Sequence, residues 1–295
     1  MDSIIFNHAA DVSLHARISR PSVDHHKPLL VFLHYWGGSS ATWYKLTSDD
    51  SATSLSALYP ILALDLRGWG NSTGPSDGES AYAIAHMATD VAAALQTLRA
   101  DREKKDLLEH GFVLIGHSMG AKVAMATLAE LPSPLLQALK GLILVAPAPP
   151  TALSMPLEMQ EQQKSAYASP DSIRWTVENI LARPENLNEQ DIDMVIEDSL
   201  KGSWLAKKAW PGRGMQEDIS DALQDALSAM DKDRLRVRIL VGDGDVVEPR
   251  ERVDKEVRQF LADTGVQVSL RTVPGVRHLL PLECPEMIYK EIRLF

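Results

Sequence analysis

The sequence has little cysteine and no long apolar run. Cys284 is the only cysteine among 295 residues, so no internal disulfide can form, and we expect a reducing, cytoplasmic compartment. No apolar stretch approaches the roughly 20 residues with which a helix spans a bilayer, so no membrane span is expected. Residues 1–8 do not combine a basic stretch with an apolar block, and no secretory signal is expected either.

The chain also has a deficit of positive charge. Lys and Arg number 30 against 40 Asp and Glu, which gives a net charge of −10. Nucleic acids and anionic membrane surfaces are bound through basic faces, so we expect neither as a partner. Apolar residues make up 45% and charged residues 24% of the chain, a balance typical of a globular domain with a large core. The composition leaves the oligomeric state open.

Short apolar runs alternate with helical patterns in the first half of the chain. Four runs predict buried strands of a parallel sheet covered on both faces, at residues 29–33, 61–64, 112–115 and 142–145. Helical spacing is found at residues 80–98, 121–131 and, later in the chain, 249–262. The alternation of strand and helix predicts an α/β fold with right-handed crossovers.

The alternation stops where three prolines break the chain, at Pro147, Pro149 and Pro150. Helical patterning without strand-like runs follows them. We therefore predict a helical cap at 147–230, placed over the carboxyl edge of the sheet, and a core at 1–146 and 231–295. Because a lid over an apolar site needs an apolar underside, Trp204 and Trp210 are expected to line the substrate pocket.

A serine at a predicted strand–helix junction is the most informative feature of the chain. Ser118 lies in the pentapeptide Gly-His-Ser-Met-Gly at 116–120, directly after the apolar run at 112–115. A serine on so sharp a turn takes up strained backbone angles, and the two glycines remove side chains that would collide with the strand and the helix. The start of the helix places N–H donors beside the hydroxyl. This arrangement predicts a nucleophile for acyl chemistry.

A serine hydroxyl needs a base before it can act as a nucleophile. His278 is the candidate base, in a turn-rich loop between a strand predicted at 266–273 and a final helix from Glu283. Asp245, just past a strand predicted at 237–241, is the candidate acid that orients the base. The carboxyl ends of parallel strands converge, so the three side chains can meet in space.

Four motifs in this order resemble the α/β-hydrolase superfamily, in which the nucleophile, acid and base follow the same chain order. They are a His-x-x-Gly-like segment at His34, Asp-x-Arg-Gly-x-Gly-x-Ser at 65–72, the pentapeptide at 116–120, and Gly-x-x-Asp and Gly-x-x-His segments near the end. The similarity covers nearly the whole chain apart from the predicted cap. It implies the fold of the esterase- and lipase-like branch, a mostly parallel, twisted sheet of about eight strands flanked by helices, with a helical cap insertion.

The resemblance also implies which groups assist the serine. Relatives place the acid three positions after the glycine that ends the strand, which selects Asp245 over Asp243. The oxyanion hole would use the backbone amides of Met119 and Trp36. Relatives usually have glycine directly after the histidine of the oxyanion loop. Tyr35 stands there in this chain, which places a phenol near the substrate pocket.

Other polar motifs are expected to have structural roles. His117 should be packed and hydrogen-bonded rather than catalytic, and His34 should support the oxyanion loop. Asp65, Arg67 and Ser72 should form a buried polar network that fixes their turn.

The strongest hint of a metal ligand set is Asp24-His25-His26-Lys27. No second cluster of ligand residues and no His-Glu-x-x-His pattern accompanies it, so we predict a solvated turn and no metal site. The acyl chemistry expected of the serine requires neither a metal nor an organic cofactor.

These features together predict a serine hydrolase that cleaves a small-molecule carboxylic ester, thioester or lactone through an acyl-enzyme on Ser118. Haloalkane dehalogenases and epoxide hydrolases are excluded within the superfamily, because they use aspartate as the nucleophile. Carbon–carbon bond hydrolases share the triad and stay open as an alternative. A non-catalytic small-molecule receptor also stays open, because some relatives keep the triad and act as receptors.

Overall fold

One mostly parallel sheet runs through the protein, for which the computed structural model describes residues 1–21, 26–153 and 157–295, without the side chains of 157–160 and 164. Its strands are β1 (Asp2–Ala9), β2 (Val12–Ser19), β3 (Leu29–Leu33), β4 (Ile61–Leu64), β5 (Phe112–His117), β6 (Leu139–Val145), β7 (Arg236–Gly242) and β8 (Gln267–Val273). They stand in the order β1-β2-β4-β3-β5-β6-β7-β8. β2 pairs antiparallel with β1 and β4, and all other neighbours pair parallel.

Helices connect the strands and fill the segment between β6 and β7. The α-helices are α1 (Tyr44–Thr47), α2 (Ile84–Ala100), α3 (Met119–Glu130), α4 (Ser133–Leu136), α5 (Leu157–Ala166), α6 (Pro170–Thr176), α7 (Glu189–Lys201), α8 (Trp204–Gly212), α9 (Ser220–Ser228), α10 (Arg250–Arg252), α11 (Gln259–Asp263), α12 (Leu280–Glu283) and α13 (Pro285–Ile292). A π-helical stretch, Val253–Arg258, joins α10 to α11, so the helix predicted at 249–262 is continuous.

The central strands are buried on both faces, as their continuous apolar runs predicted. In β5, Phe112 and Leu114 belong to the core on one face, and Val113 and Ile115 belong to the core on the other. α2 and α3 pack together over the first face, and α13 packs on the second. The α/β fold with a mostly parallel sheet of about eight strands is therefore confirmed.

The sequence patterns do not locate β1 and β2, the antiparallel hairpin at one edge of the sheet. Along β1 only Phe6 is fully buried, while Asp2, Ser3 and Ile5 are exposed. An edge strand with one solvated face lacks the continuous apolar run that marks the central strands.

Two helices differ from the predicted ones by a boundary shift of more than two residues or by a break. The helix expected at 80–98 begins at Ile84, because Ala83 is extended (φ −63°, ψ 153°) after a 3₁₀ turn. The final helix is divided into α12 and α13 at Cys284, which has φ −150°. Pro285 follows it, and the residue before a proline is disfavoured in the helical conformation.

The described residues between β6 and β7 contain helices and turns and no strand. α9 packs against α3 of the core. Lys122 of α3 is fully buried, and its Nζ donates to the carbonyl oxygens of Thr151 at 3.2 Å and Met215 at 3.4 Å. Burial lowers the pKa of Lys122 to about 8. Both ends of the helical segment are thus tied to the core, and its division as a separate cap at 147–230 stays a prediction.

Asp24 and His25 lie outside the described residues, so the solvated turn expected there stays a prediction. None of the helices in the described ranges combines the length and the apolar character that crossing a bilayer requires.

Candidate active site

The carboxyl edge of the parallel strands collects the predicted site residues. Trp36 follows β3, Ser118 follows β5, Asp245 follows β7 and His278 follows β8. Loops that leave this edge converge over the sheet, which is where open α/β sheets bind ligands. Four segments far apart in the chain are thereby brought to one place.

Ser118 occupies a strained turn between β5 and α3. Its backbone angles are φ 54° and ψ −115°, a conformation that residues other than glycine rarely adopt. The backbone amide of Ser118 donates to the carbonyl oxygen of Val145 at 2.9 Å, and its carbonyl accepts from the amide of Ala121 at 3.0 Å. Bonds to β6 and to the first turn of α3 therefore hold the strained residue in place.

Gly116 and Gly120 allow strand, helix and oxyanion loop to approach closely. A Cβ at Gly116 would lie 2.4 Å from the carbonyl oxygen of Gly120, and one at Gly120 would lie 2.4 Å from the carbonyl oxygens of both Leu33 and His34. Real Cβ atoms essentially never come so near to backbone. The two glycines are thus required by packing, as the pentapeptide predicted, and the second brings α3 against the loop after β3.

His278 and Asp245 form a buried hydrogen-bonded pair. His278 Nδ1 donates to Asp245 Oδ2 at 2.8 Å, and neither side chain is appreciably exposed. The other oxygen of Asp245, Oδ1, accepts from the amides of Val247 at 2.8 Å and Glu248 at 2.9 Å. The carboxylate is therefore fixed on both sides, and its bond to Nδ1 leaves Nε2 as the basic nitrogen of neutral His278.

The charge state of His278 results from two opposing effects. Burial disfavours the imidazolium, whereas the Asp245 carboxylate favours it through its charge and its hydrogen bond; Glu248 and Glu283 add to the second effect. The second effect prevails and the pKa of His278 is raised. Glu248 is itself almost fully buried beside Asp245, and burial raises the pKa of its carboxyl to about 8 even though Arg252 pairs with it at 3.0 Å.

His117 connects the strained serine turn with the histidine loop. Its Nε2 donates to the carbonyl oxygen of His278 at 2.8 Å, and the two rings lie 5.1 Å apart. Burial, aided by the proximity of His278, lowers the pKa of His117 well below its usual value, so the ring is neutral. The packed, hydrogen-bonded role predicted for His117 is confirmed, and this contact places residue 278 next to the neighbour of Ser118.

The buried ring of His34 stabilises the loop after β3 through two hydrogen bonds. His34 Nδ1 donates to the carbonyl oxygen of Tyr35 at 2.7 Å, and Nε2 accepts from the amide of Leu66 at 2.9 Å. Burial lowers the pKa of His34 to about 4, so the neutral ring keeps both bonds. Gly37 has φ 99°, a value that favours glycine, and it turns the chain directly after Trp36.

Three side chains from the helical segment hold the same loop from outside. Tyr167 donates from its hydroxyl to the carbonyl oxygen of Trp36 at 2.8 Å, and Ser199 donates to that of Gly37 at 2.9 Å. Asp198 Oδ2 accepts from Ser39 Oγ at 2.6 Å. No motif marks Tyr167, Asp198 or Ser199 in the sequence, and sequence reasoning missed them.

The predicted pocket residues occupy different environments. Tyr35 is buried with its ring 5.0 Å from that of His117, and its hydroxyl has no hydrogen-bond partner among the described residues. Trp210 is buried, whereas Trp204 is 67% exposed and has Lys208 Nζ 4.3 Å from its ring centre. Their role in binding a substrate stays a prediction.

The polar network predicted around Asp65 is confirmed. Asp65 accepts from His15 Nδ1 at 2.8 Å and from the amide of Ser40 at 2.6 Å, and its backbone carbonyl accepts from Ser72 Oγ at 2.6 Å. Arg67 pairs with buried Asp90 through two nitrogens. These bonds fix the turn after β4. Within the described ranges, no group of three or more His, Cys, Asp and Glu side chains is arranged to hold a metal ion.

Comparison with known proteins adds a family to this geometry. A family model described as the alpha/beta hydrolase family matches residues 30–291. Protein phosphatase methylesterase 1 of Bos taurus is 31% identical over 172 residues, which cover 57% of this chain and 41% of that protein, so the chain spans about two fifths of the length of this curated relative.

Solved structures share the whole architecture. A thermophilic esterase from Thermogutta terrifontis has a TM-score of 0.71 at 21% identity, over 100% of this chain and 97% of that one. A bromoperoxidase from Bacillus anthracis has a TM-score of 0.75 at 15% identity, over 99% of each chain. At these identities the likeness establishes the fold.

Proposed function

Because the chain belongs to the alpha/beta hydrolase family, we propose that it is a serine hydrolase that cleaves a carboxylic ester, thioester or lactone through an acyl-enzyme on Ser118. One observation carries the proposal: the buried His278–Asp245 pair is joined through His117 to the strained turn that presents Ser118. The substrate is a small acyl compound, and the reaction uses no metal or organic cofactor.

In the first step His278 acts as the general base. The Nδ1–H of neutral His278 donates a hydrogen bond to Asp245, which leaves Nε2 free to act as the base. Nε2 accepts the hydroxyl proton of Ser118 as Oγ attacks the carbonyl carbon. Asp245 stays ionised and stabilises the imidazolium that forms. The raised pKa of His278 means that activity rises with pH as the imidazolium of the free enzyme loses its proton.

Two backbone amides would stabilise the oxyanion of the tetrahedral intermediate. The amide of Met119 begins α3, where the helix N-terminus has N–H groups free of intrahelical bonds. The amide of Trp36 lies in the loop that Gly120 allows to approach α3. Each such donor contributes roughly 3 kcal/mol to transition-state stabilisation.

Collapse of the intermediate completes acylation. His278 returns its proton to the leaving group as the bond between carbonyl carbon and leaving group breaks. A water molecule then loses a proton to His278 and attacks the acyl carbon, and the resulting acid leaves when Ser118 regains its proton. The segment at 147–230 would act as the cap over this site, a role supported by the bonds from Tyr167 and Ser199 to the oxyanion loop.

The test compares the wild-type protein with Ser118→Ala. A panel of p-nitrophenyl esters measures turnover, and a fluorophosphonate probe measures covalent labelling of the activated serine. Ser228→Ala is the matched control, because Ser228 is an exposed serine on α9. We expect turnover and labelling in the wild type and the control and neither in Ser118→Ala.

Two other outcomes would redirect the proposal. Labelling of Ser118 without turnover of any ester would leave a working triad and favour a lactone, a thioester or carbon–carbon cleavage. Neither labelling nor turnover in folded wild-type protein would contradict the enzyme and favour a small-molecule receptor.

A further inference from the structure

A small cavity lies beside the oxyanion loop, on the side of the helical segment. Its volume is about 180 Å³, and its lining includes Trp36, Tyr167, Trp204, Lys207 and Lys208. Trp36 and Tyr167 form one wall, with ring centres 4.3 Å apart. The Trp36 indole Nε1 donates to the carbonyl oxygen of Lys207 at 3.1 Å, which joins this wall to α8.

The described part of the cavity lining carries a charge opposite to that of the chain. Acidic residues outnumber basic ones by 40 to 30 over the whole sequence, yet among the lining side chains that the structure describes both charged ones are lysines, Lys207 and Lys208. Among the described residues, neither ammonium forms an ion pair with a carboxylate. Lys207 Nζ donates to the carbonyl oxygen of Leu200 at 3.1 Å, and Lys208 Nζ lies over the Trp204 ring. With respect to the described residues, both cations therefore retain donors for an anion.

The lining places apolar surface beside the two ammonium groups. Trp204 is two-thirds exposed to solvent, so a ligand that covers it would bury apolar area and strengthen the electrostatic attraction of the adjacent ammonium groups. A carboxylate offers up to four acceptor sites and suits two lysine donors.

The cavity adjoins a residue of the proposed oxyanion hole. Its wall is the side chain of Trp36, whose amide is the proposed oxyanion donor, and Tyr167 binds the carbonyl oxygen of the same residue. A group held in this cavity therefore lies against the side chain of the residue whose amide is the proposed oxyanion donor.

We propose that this cavity is a subsite for a carboxylate on the substrate, so that the preferred substrates are acyl compounds with a second, ionised acid group. The inference rests on the proposed function, because it places the subsite relative to a reacting acyl group. The carboxylate can belong to the acyl part or to the leaving group, and two pairs of probes distinguish these sources.

The first pair is 4-nitrophenyl hydrogen adipate and 4-nitrophenyl hexanoate, which differ in a carboxylate on the acyl chain. The second pair is 4-acetoxybenzoate and its methyl ester, which differ in a carboxylate on the leaving group. For the wild type we expect a higher kcat/KM for the anionic member of one pair. The double variant Lys207→Met with Lys208→Met should lower the ratio of anionic to neutral kcat/KM in that pair about tenfold, the effect of two charged contacts at a partly exposed site.

Lys201→Met is the matched control. Lys201 lies on α7, pairs with Glu197 at 2.7 Å and does not line the cavity, so its replacement should leave the ratio as in the wild type. A wild-type ratio near one in both pairs, or an equal loss for the anionic and neutral esters in the double variant, would overturn the subsite.

Failure of the proposed function is recognised separately, as absence of turnover with every probe. Binding of adipate and of 4-hydroxybenzoate, the carboxylates that the two anionic probes release, to Ser118→Ala protein, followed by tryptophan fluorescence, then tests the subsite alone. Saturable quenching that the double lysine variant abolishes would support the subsite, and absence of binding would overturn it.

Discussion

His278 donates a hydrogen bond from Nδ1 to Asp245 Oδ2 across 2.8 Å, with both side chains buried. Asp243, only two residues earlier, has a side chain that is 43% exposed. Its Oδ1 accepts from the amide of Gly275 at 3.0 Å, so it supports the turn after β8. Asp245 and Asp243 therefore differ in hydrogen-bond partner and in burial, and only Asp245 contacts the candidate base.

This difference predicts the effects of two amide substitutions. Asp245→Asn should lower kcat by about 10⁴-fold, because the amide no longer stabilises the imidazolium or selects the productive tautomer. Asp243→Asn should lower kcat by less than about tenfold, since the side-chain amide oxygen of the variant can still accept the hydrogen bond from the backbone amide of Gly275. Steady-state kinetics on an ester that the wild type cleaves measures both. Equal losses in the two variants would contradict the assignment.

The strained backbone of Ser118 predicts that a glycine at this position is more stable than an alanine. Its φ of 54° and ψ of −115° cost of order 1–3 kcal/mol in a residue with a Cβ. Ser118→Gly removes that strain, whereas Ser118→Ala retains it, and both remove the nucleophile. After allowance for the greater entropy of the unfolded glycine chain, we expect Ser118→Gly to unfold with about 1 kcal/mol more free energy than Ser118→Ala. Urea unfolding measures the difference, and equal or lower stability of the glycine variant would show that the turn is unstrained.

The central strands and the serine turn could be predicted because their signals are local. The runs at 29–33 and 61–64 coincide with β3 and β4, since a strand buried on both faces must be apolar at every position. Gly116 and Gly120 are needed because a Cβ at either position would collide with backbone atoms. The pentapeptide pattern contains both glycines, so this requirement is visible in the sequence. Because each motif follows a predicted parallel strand, the motifs are expected at the same edge of the sheet, where the carboxyl ends of the strands meet.

The contacts around the oxyanion loop could not be predicted in the same way. Tyr167 and Trp36 are separated by 131 positions and joined by one hydrogen bond. The local sequence around either residue contains no pattern that indicates a contact with the other. Trp204 is predicted to line the substrate pocket because a lid over an apolar site needs an apolar underside, and 67% of the residue is exposed. An aromatic residue in a helical segment has no local pattern that separates core from surface.

Tyr167 is expected to influence catalysis through the oxyanion loop. Tyr167→Phe deletes the hydroxyl that binds the Trp36 carbonyl oxygen at 2.8 Å, so the peptide unit that follows the Trp36 amide loses an anchor. We expect kcat to fall about tenfold with little change in KM, because the affected group acts on the oxyanion rather than on the bound ester.

Tyr44→Phe is the control for this substitution. The Tyr44 hydroxyl also binds the helical segment, at Asp191 Oδ1 with 2.7 Å, but away from the oxyanion loop. Both variants should lose stability of about 1 kcal/mol or more, since each leaves a hydrogen-bond acceptor without its donor. Only Tyr167→Phe should lower kcat. A similar loss of kcat in Tyr44→Phe would assign the effect to the general attachment of the segment.

Glu248 predicts how stability depends on pH. Burial raises the pKa of its carboxyl from 4.5 to about 8 in the folded protein, so between these values the folded state retains a proton that the unfolded state has lost. Stability falls with rising pH wherever the folded state binds more protons. Glu248→Gln removes this titration, and the unfolding free energy of the variant relative to the wild type should therefore increase from about pH 4.5 to about pH 8 and then level off.

Asp198→Asn provides an internal comparison, because burial raises the pKa of Asp198 from 3.8 only to about 6. Its relative unfolding free energy should increase over a lower pH window and become constant near pH 6, two units before that of Glu248→Gln. Urea unfolding of the three proteins at a series of pH values separates the two windows, since the other titrating groups are common to all three. If the curves for the two variants levelled off at the same pH, the difference would have to be assigned to a shared change in the fold rather than to the individual carboxyls.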